Sequence, residues 1–241
     1  MSKVLIQQVL VGKGHLPPRG DDYDYAFLKD IAIPSVETYA KKFGYDHDVC
    51  NDISEIVENL PQCYDRNHHN NMKYTYQKYI TLEKAKDYDF ILLLDSDCFI
   101  MNYTPQLPLL PGVSVRDTDH YRSNEADLKN RFTVSNAGFQ LYDKVSAFKM
   151  NNYIKNRIKE IIEVNDLYFH DEIDLARLLD MDLSIQFNIV GDDWNHIKQT
   201  GFNVNYVPKK FIYHYAGGRK HARFQNMIDN NWIDLSGNYL K

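Results

Sequence analysis

The feature of this sequence that most constrains its fold is an apolar run that ends in two closely spaced acids. Phe90 to Leu94 are five apolar residues without a polar break, and Asp95-Ser96-Asp97 follows directly. A run this short and this apolar is typical of a strand that is buried on both faces, as in the centre of a parallel sheet. The sequence therefore predicts that Asp95 and Asp97 lie at the edge of the core, where a central strand ends.

Two carboxylates at the edge of a core need a partner, because burying an unpaired charge is costly. A divalent cation is the simplest partner. Two hard oxygen donors suit Mg²⁺ or Mn²⁺, which commonly bind one or two carboxylates together with substrate phosphates. The alternative interpretation is that the acids cap the turn after the strand, and an Asp-x-Asp triplet alone leaves both open.

The rest of the chain alternates between strand-like and helical patterns. Strands are predicted at residues 4–11, 45–50, 90–94, 113–115, 135–142, 184–189, 203–207 and 211–213, and helices at residues 26–43, 74–86, 145–164 and 170–179. Pro34 is predicted to open a second helical segment and Gly44 to cap it. A strand–helix–strand opening favours a parallel sheet. No repeat or linker interrupts the chain, so residues 1–241 are predicted to form a single domain.

Composition argues against several classes of protein. The net charge of −5 is the opposite of what a general nucleic-acid-binding protein would carry. No apolar run approaches the roughly 20 residues of a membrane span. The N-terminal segment turns polar at Gln7 and Gln8, too early for a secretion signal. Cys50, Cys63 and Cys98 lack metal-site spacing and are expected to be reduced thiols, so we expect a cytoplasmic protein.

A second group of chemically useful residues is His214-Tyr215-Ala216-Gly217-Gly218-Arg219-Lys220, which follows an apolar run. His214 offers a nitrogen ligand, and Gly217 and Gly218 let a backbone approach an anion closely. Lys220 offers a cation for a phosphate. Alone, a histidine near glycines is more often structural. Together with the Asp-Ser-Asp triplet, these residues would complete a site for a metal-bound diphosphate.

In these motifs the sequence resembles the retaining glycosyltransferases of the GT-A fold. The resemblance is strongest to the glycogenin and lipopolysaccharide α-galactosyltransferase family (family 8), with related features of family 34. Asp95-Ser96-Asp97 matches the Asp-x-Asp motif of these enzymes, and His214, Gly217 and Lys220 match the family 8 pattern His-x-x-Gly-x-x-Lys. Three further segments match in the same order: Tyr76-Gln77-Lys78-Tyr79, Ser135-Asn136-Ala137-Gly138 and His170-Asp171-Glu172.

The resemblance implies a fold and an activity. The fold would be α/β, a single Rossmann-like GT-A domain over residues 1–241, with a mostly parallel central sheet flanked by helices. The activity would be that of a metal-dependent hexosyltransferase using Mn²⁺ or Mg²⁺. The donor would be a nucleoside diphosphate sugar, with UDP-glucose or UDP-galactose favoured, and the acceptor a glycan, a glycoconjugate or another hydroxyl compound. Configuration would be retained, and neither nucleic acid nor a membrane span is expected.

The resemblance also implies roles for individual residues. The metal ligands would be Asp95, Asp97 and His214. Donor-binding residues would be Leu10, Val11, Lys78, Asp95, Ser96, Asn136, Gly217 and Lys220. Among these, Leu10 and Val11 would lie near the base, and Lys220 would hold the diphosphate. Asp171 and Glu172 would be the catalytic pair, with Asp171 on the hydroxyls of the transferred sugar.

Two positions depart from the family pattern. Glu172 stands where the family usually has glutamine, and His221 stands where proline would follow the lysine. Glu172 would act either as a carboxylate nucleophile in a double displacement or as a hydrogen-bonding substitute for glutamine in a front-face transfer. The sequence leaves both mechanisms open.

Two other functions are open from the sequence. A sugar-phosphate nucleotidyltransferase would normally carry a Gly-rich, basic loop after the first strand, of which Gly12-Lys13-Gly14 is a faint form. The other is a catalytically inactive carbohydrate-binding homologue. The intact acid pair argues against it, because an unused buried pair of acids costs stability.

Overall fold

The structure, a computed structural model, describes residues 2–11, 22–61, 72–117, 135–165, 171–197, 209–216 and 219–240. Its strands are β1 (Val4–Val9), β2 (Asp46–Cys50), β3 (Phe90–Leu94), β4 (Cys98–Ile100), β5 (Val113–Asp117), β6 (Ser135–Asp143), β7 (Phe187–Val190), β8 (His196–Ile197) and β9 (Ile212–His214). Its α-helices are α1 (Asp22–Phe27), α2 (Ile33–Phe43), α3 (Glu55–Glu58), α4 (Gln77–Ile80), α5 (Lys144–Val164), α6 (Asp171–Met181) and α7 (Lys220–Asp229). A π-helical turn, Leu28–Ala32, joins α1 to α2, and 3₁₀ turns, Met72–Tyr76 and Thr81–Lys86, flank α4; another, Asp192–Trp194, follows β7.

A six-stranded sheet in the order β2-β1-β3-β6-β5-β7 forms the centre of the molecule. β3 pairs in parallel with β1 and antiparallel with β6, and β6 is also antiparallel to β5. The two remaining pairings, β1 with β2 and β5 with β7, are parallel. β6 therefore runs against the other five strands of this sheet, which confirms a mostly parallel arrangement with β3 near its centre.

Helices pack on both faces of this sheet, because side chains alternate between the faces along each strand. Ile91 and Leu93 point into a cluster that includes residues of α4, α5 and α6. Leu92 and Leu94 point into a second cluster that includes residues of α2. All four side chains are buried, so β3 is covered on both sides, as its apolar run predicts.

A second sheet of three strands, in the order β4-β9-β8, was not predicted from the sequence. It begins directly after β3, where the Cys98 N–H donates to the Asp95 carbonyl and closes a turn from Asp95 to Cys98, with 3.1 Å between nitrogen and oxygen. β4 and β9 are antiparallel, and Cys98 pairs with His214. A third apolar cluster packs residues of α1 and α7 against this sheet. The small sheet therefore carries His214 to the end of β3.

Several predicted elements differ in extent or in kind. The predicted helix at residues 74–86 is one α-helical turn between two 3₁₀ turns. Asn151 Nδ2 donates to the carbonyl oxygens of Tyr79 and Ile80, at 2.9 and 3.1 Å. Thr81 Oγ1 donates to the Lys78 carbonyl at 2.5 Å. These side chains occupy carbonyls that a continuous α-helix would use for its own backbone bonds.

Other differences lie at element ends. The strand predicted at 184–189 is β7, which starts later because Ser184 and Ile185 donate backbone N–H groups to Asp182 in a turn. The helix predicted at 26–43 starts at Asp22 and passes through the π-helical turn. It ends at Gly44, which has the left-handed φ of +69° expected of a helix cap. The strand predicted at 203–207 lies outside the described residues. None of the helices in the described ranges has the length and apolar character needed to cross a membrane.

Candidate active site

The Asp95–Cys98 turn lies between the two sheets and is held by backbone hydrogen bonds on both sides. The Asp95 N–H donates to the Gly138 carbonyl of β6 at 3.0 Å, and the Tyr215 N–H, just after β9, donates to the Asp97 carbonyl at 3.0 Å. Asp97 is buried, whereas Asp95 is partly exposed. Ser96 lies between them in the turn and is also partly exposed. The two acids are thus placed at the edge of the core, as the apolar run predicts.

His214 lies beside both acids. Its Nε2 is 3.1 Å from Asp97 Oδ1 and 3.6 Å from Asp95 Oδ2, and its side chain is almost fully buried. The three predicted metal ligands come from the end of β3, the following turn and the end of β9. They form one cluster although more than a hundred residues separate His214 from the acids in sequence.

Two buried lysines pair with the acids in this structure. Lys78, on α4, places its Nζ 3.3 Å from Asp95 Oδ1 and donates to the Ala137 carbonyl at 3.2 Å. Lys220, the first residue of α7, donates through Nζ to Asp97 Oδ2 and to the Tyr215 carbonyl, the latter at 3.1 Å. Lysine ammonium groups of the chain itself therefore pair with both acids, and these pairs were not predicted from the sequence.

Electrostatics keep Asp97 charged. Burial raises the pKa of Asp97, but the positive charge of Lys220, the imidazole of His214 and the hydrogen bonds from both lower it well below its usual range. The neighbouring Cys98 is affected in the opposite way. Burial and the negative charges of Asp97 and Asp95 raise the pKa of the Cys98 thiol. Cys98 therefore stays a neutral thiol beside a charged carboxylate.

The donor set fits a hard divalent cation. Ligands bound at about 2.1 Å in octahedral geometry lie roughly 3.0 Å apart, close to the spacing of the imidazole nitrogen and the carboxylate oxygens. Two carboxylates and one imidazole are a donor set that Mn²⁺ accepts. One potential ligand atom from each of Asp97, Cys98 and His214 also lies within 4.8 Å of the other two. Because the neutral Cys98 thiol is a poor ligand for a hard cation, Asp95, Asp97 and His214 are the better set.

The other predicted site residues are described to different extents. Leu10 follows β1 and packs in the third apolar cluster, and Val11 follows it at the edge of the described segment. Asn136 lies on β6, opposite Arg116 of β5. Asp171 and Glu172 open α6, and only their backbone is described. Gly217 lies outside the described residues.

Two sets of buried polar contacts have no motif in the sequence. Gln8, fully buried on β1, donates through Nε2 to the Asp95 carbonyl at 3.2 Å, and its Oε1 lies 2.9 Å from His47 Nε2. Asp174, fully buried on α6, accepts a hydrogen bond from the Tyr76 hydroxyl. The one signal available from sequence was two adjacent glutamines within an otherwise apolar strand, Gln7 and Gln8, which calls for buried hydrogen-bond partners.

Three solved structures share this fold over nearly the whole chain. One is a glycosyltransferase involved in the glycosylation of the major capsid of PBCV-1, at 13% identity and a TM-score of 0.54, covering 94% of this chain and 99% of that one. An active-site mutant of LgtC with glutamate in place of glutamine gives 15% identity and a TM-score of 0.53, covering 93% and 95%. The galactosyltransferase LgtC in complex with donor and acceptor sugar analogs gives 15% identity and a TM-score of 0.51, covering 98% and 96%.

These likenesses show that the chain has the GT-A glycosyltransferase fold, with the family 8 enzyme LgtC among the proteins it resembles. The α/β class and the helix-flanked sheet predicted from the sequence are confirmed. No protein-family model matches the sequence, and no curated protein matches it. Below 25% identity a shared fold leaves the activity to be argued from the site.

Proposed function

We propose that this chain, folded as a GT-A glycosyltransferase, is a metal-dependent hexosyltransferase that uses a nucleoside diphosphate sugar. The observation that carries the proposal is the convergence of Asp95, Asp97, His214 and Lys220 where β3 ends. A cation-binding triad beside a lysine suits a diphosphate, whose charge needs both a metal and a further cation. The resemblance to family 8 favours UDP-glucose or UDP-galactose as donor, and a glycan or another hydroxyl compound as acceptor.

The proposed mechanism assigns charge control to the residues of this site. A Mn²⁺ or Mg²⁺ ion held by Asp95, Asp97 and His214 would act as a Lewis acid on the diphosphate leaving group. Lys220 would add a positive charge where negative charge develops as the glycosidic bond breaks. Lys78, which pairs with Asp95, would contact the donor. Gly217 would let the backbone approach the phosphates, and Ser96, Asn136, Leu10 and Val11 would complete the donor site.

The proposed catalytic pair is Asp171 and Glu172, which open α6. Asp171 would bind the hydroxyls of the transferred sugar, and Glu172 would act at the reacting carbon with retention of configuration. The two solved LgtC structures are relevant here, because one holds donor and acceptor sugar analogs and the other carries glutamate in place of an active-site glutamine. Glu172 is a glutamate at a position where the resemblance to family 8 leads us to expect glutamine. The structural likenesses give no support to a nucleotidyltransferase or to an inactive binding module.

The decisive experiment is calorimetric binding of UDP with and without Mn²⁺, followed by a screen for hydrolysis of sugar nucleotides. Wild-type protein should bind UDP tightly only with Mn²⁺. Asp97→Ala should not bind UDP tightly even when Mn²⁺ is present. Asp89→Ala is the matched control, because Asp89 precedes the opposite end of β3 and accepts the backbone N–H of Lys3 at 2.8 Å. Failure of wild type to bind UDP or GDP with Mn²⁺ would contradict the proposal. If the protein bound GDP but not UDP in the presence of Mn²⁺, the proposal would stand and only the base of the donor would differ.

A further inference from the structure

Asp174 is a buried carboxylate that the proposed mechanism does not use. It lies on α6, one helical turn after the opening residues Asp171 and Glu172. Its side chain is almost completely buried. Its Oδ2 accepts a hydrogen bond from the Tyr76 hydroxyl, and its Oδ1 accepts one from Arg177 Nη1 at 3.1 Å.

A second arginine adds to this group. Arg157, on α5, has its Nε 3.4 Å from Asp174 Oδ1. Burial raises the pKa of Asp174, and the hydroxyl of Tyr76 and the charges of Arg157 and Arg177 offset part of that shift. The carboxyl group is thus enclosed by partners from three different segments of the chain.

Tyr76 connects Asp174 to the metal-site residues. It is fully buried at the end of the 3₁₀ turn Met72–Tyr76, which runs directly into α4. Two residues later, Lys78 reaches Asp95. The Tyr76–Asp174 hydrogen bond therefore joins the first turns of α6 to the segment that holds one of the proposed metal ligands.

Stability alone is a poor explanation for this contact. A buried ion pair is often no more stabilising than apolar residues of similar volume, and Asp174 adjoins an apolar cluster. Leu175, Leu178 and Leu179, which follow it on α6, all pack in the cluster that also contains Tyr76. What a hydrogen bond between charged and polar groups adds is a fixed geometry, because it is directional where apolar packing is not.

We propose that Tyr76 and Asp174 are positioning residues that fix the start of α6 against the Lys78–Asp95 pair. The contact would hold Asp171 and Glu172 at a constant distance from the diphosphate. This inference rests on the proposed function and deepens it, because it names the contact that couples the proposed catalytic pair to the metal site. Neither residue touches the reacting atoms in this scheme.

The test is Tyr76→Phe, which removes one hydroxyl and keeps the ring. Tyr142→Phe is the matched control, because Tyr142 is equally buried in the same cluster and donates its hydroxyl to Gln140 Oε1 at 2.7 Å on β6. With the sugar nucleotide that wild type turns over, Tyr76→Phe should lower kcat about tenfold or more, since small misplacements of reacting groups have large effects. The KM for the donor and the affinity for UDP with Mn²⁺ should not change. Tyr142→Phe should retain wild-type kcat.

Hydrogen exchange provides a readout that does not depend on turnover. Tyr76→Phe should speed amide exchange at the start of α6, and Tyr142→Phe should not. As a rescue test, Asp174→Asn keeps an oxygen that can accept from Tyr76 and should retain more kcat than Asp174→Leu. Equal kcat and equal exchange in Tyr76→Phe and Tyr142→Phe would overturn the inference while leaving the proposed function intact. Absence of turnover by wild type with any sugar nucleotide would overturn both.

Discussion

At the scale of single residues, Asp97 shows how neighbours decide the charge of a buried group. Burial raises its pKa from the usual 3.8, while Lys220 and His214 bring it far below that value. Because the folded pKa is depressed, the unfolded chain takes up the proton first as the pH falls. The stability that this ionisation contributes is therefore fully present above about pH 4 and is lost as the pH falls below it.

Replacing Asp97 with asparagine should change both stability and its dependence on acid. Near neutral pH, Asp97→Asn leaves Lys220 buried without its charged partner, which should cost about 3–5 kcal/mol in the free energy of unfolding. Below about pH 4, the variant should lose stability less steeply than wild type, by up to about 1.4 kcal/mol per pH unit. Urea unfolding at a series of pH values measures both effects. If the free energy of unfolding fell equally steeply in both proteins below about pH 4, Asp97 would not be held charged.

Spaced motifs in the sequence pointed to residues that the structure brings together where β3 ends. Asp95, Asp97, His214 and Lys220 could be found because their types and spacing suit a metal-bound diphosphate. Asp174 could not, because a single aspartate among the first residues of a helix looks like a favourable charge at the helix dipole. Its partner Tyr76 is 98 residues away, and no local pattern reports such a contact.

At the scale of elements, two glycines with positive φ should respond very differently to substitution. Gly44 caps α2 with φ +69°, and a Cβ there would meet no atom within 4 Å. Gly112 precedes β5 with φ +91°, and a Cβ there would lie 1.9 Å from the carbonyl oxygen of Gln186. That oxygen accepts the Val113 N–H at 2.8 Å where β5 meets β7, so it cannot move away without breaking the pairing.

Gly44→Ala should therefore lower the free energy of unfolding by only about 1–2 kcal/mol, the strain of a left-handed residue. Gly112→Ala adds a backbone clash and should cost more than about 3 kcal/mol. Chemical denaturation of the two variants side by side makes the comparison. Equal costs would mean that β5 and β7 do not approach as closely as described.

The buried face of α5, which includes Ile154, Ile158 and Ile161, permits a second matched comparison. Ile158 is fully buried, whereas Ile162, one turn later, is 39% exposed. Ile158→Ala leaves a cavity and should cost about 2–5 kcal/mol. Ile162→Ala should cost about 1 kcal/mol or less, since much of its side chain already meets water. The urea midpoints of the two variants measure these costs. A larger cost for Ile162→Ala than for Ile158→Ala would mean that the buried face of α5 is assigned to the wrong side of the helix.

Elements were predictable where a long or uniform pattern specifies them. β3 has the predicted bounds, and α5 starts one residue before the prediction and ends with it, because an apolar run and a repeated apolar stripe are strong signals. Asp143 also caps α5 by accepting the Ser146 N–H. β4 and β8 have only three and two residues, too few for any period, and their sheet depends on pairing between distant segments. The sequence therefore predicted the main sheet and missed the small one.

At the scale of the whole molecule, the two tryptophans report on different parts of the structure. Trp194 packs against Phe139 and Phe211 beside the main sheet. Trp232 lies in the apolar cluster under the small sheet. If residues 1–241 form one domain, both sheets should unfold together, because they share the Asp95–Cys98 turn.

Single-tryptophan variants test this prediction. Trp194→Phe and Trp232→Phe each leave one fluorescent tryptophan. When each variant is unfolded in urea, the midpoint measured by fluorescence should equal the midpoint measured by circular dichroism. A fluorescence midpoint that falls below the circular dichroism midpoint only when Trp232 is the reporter would mean that the small sheet unfolds separately. The chain would then contain two cooperative units.

The backbone contacts of the Asp95–Cys98 turn have a consequence for how such proteins diverge. Asp95 is held by the Gly138 carbonyl, Asp97 by the Tyr215 amide, and Lys78 by the Ala137 carbonyl. Main-chain groups are present whatever the side chain, so most surrounding residues can be exchanged during evolution without moving the acids. Lineages that keep this arrangement can therefore lose recognisable ancestry elsewhere. Distant relatives of this chain should be easier to find by searching structures for that pattern of main-chain contacts than by aligning sequences.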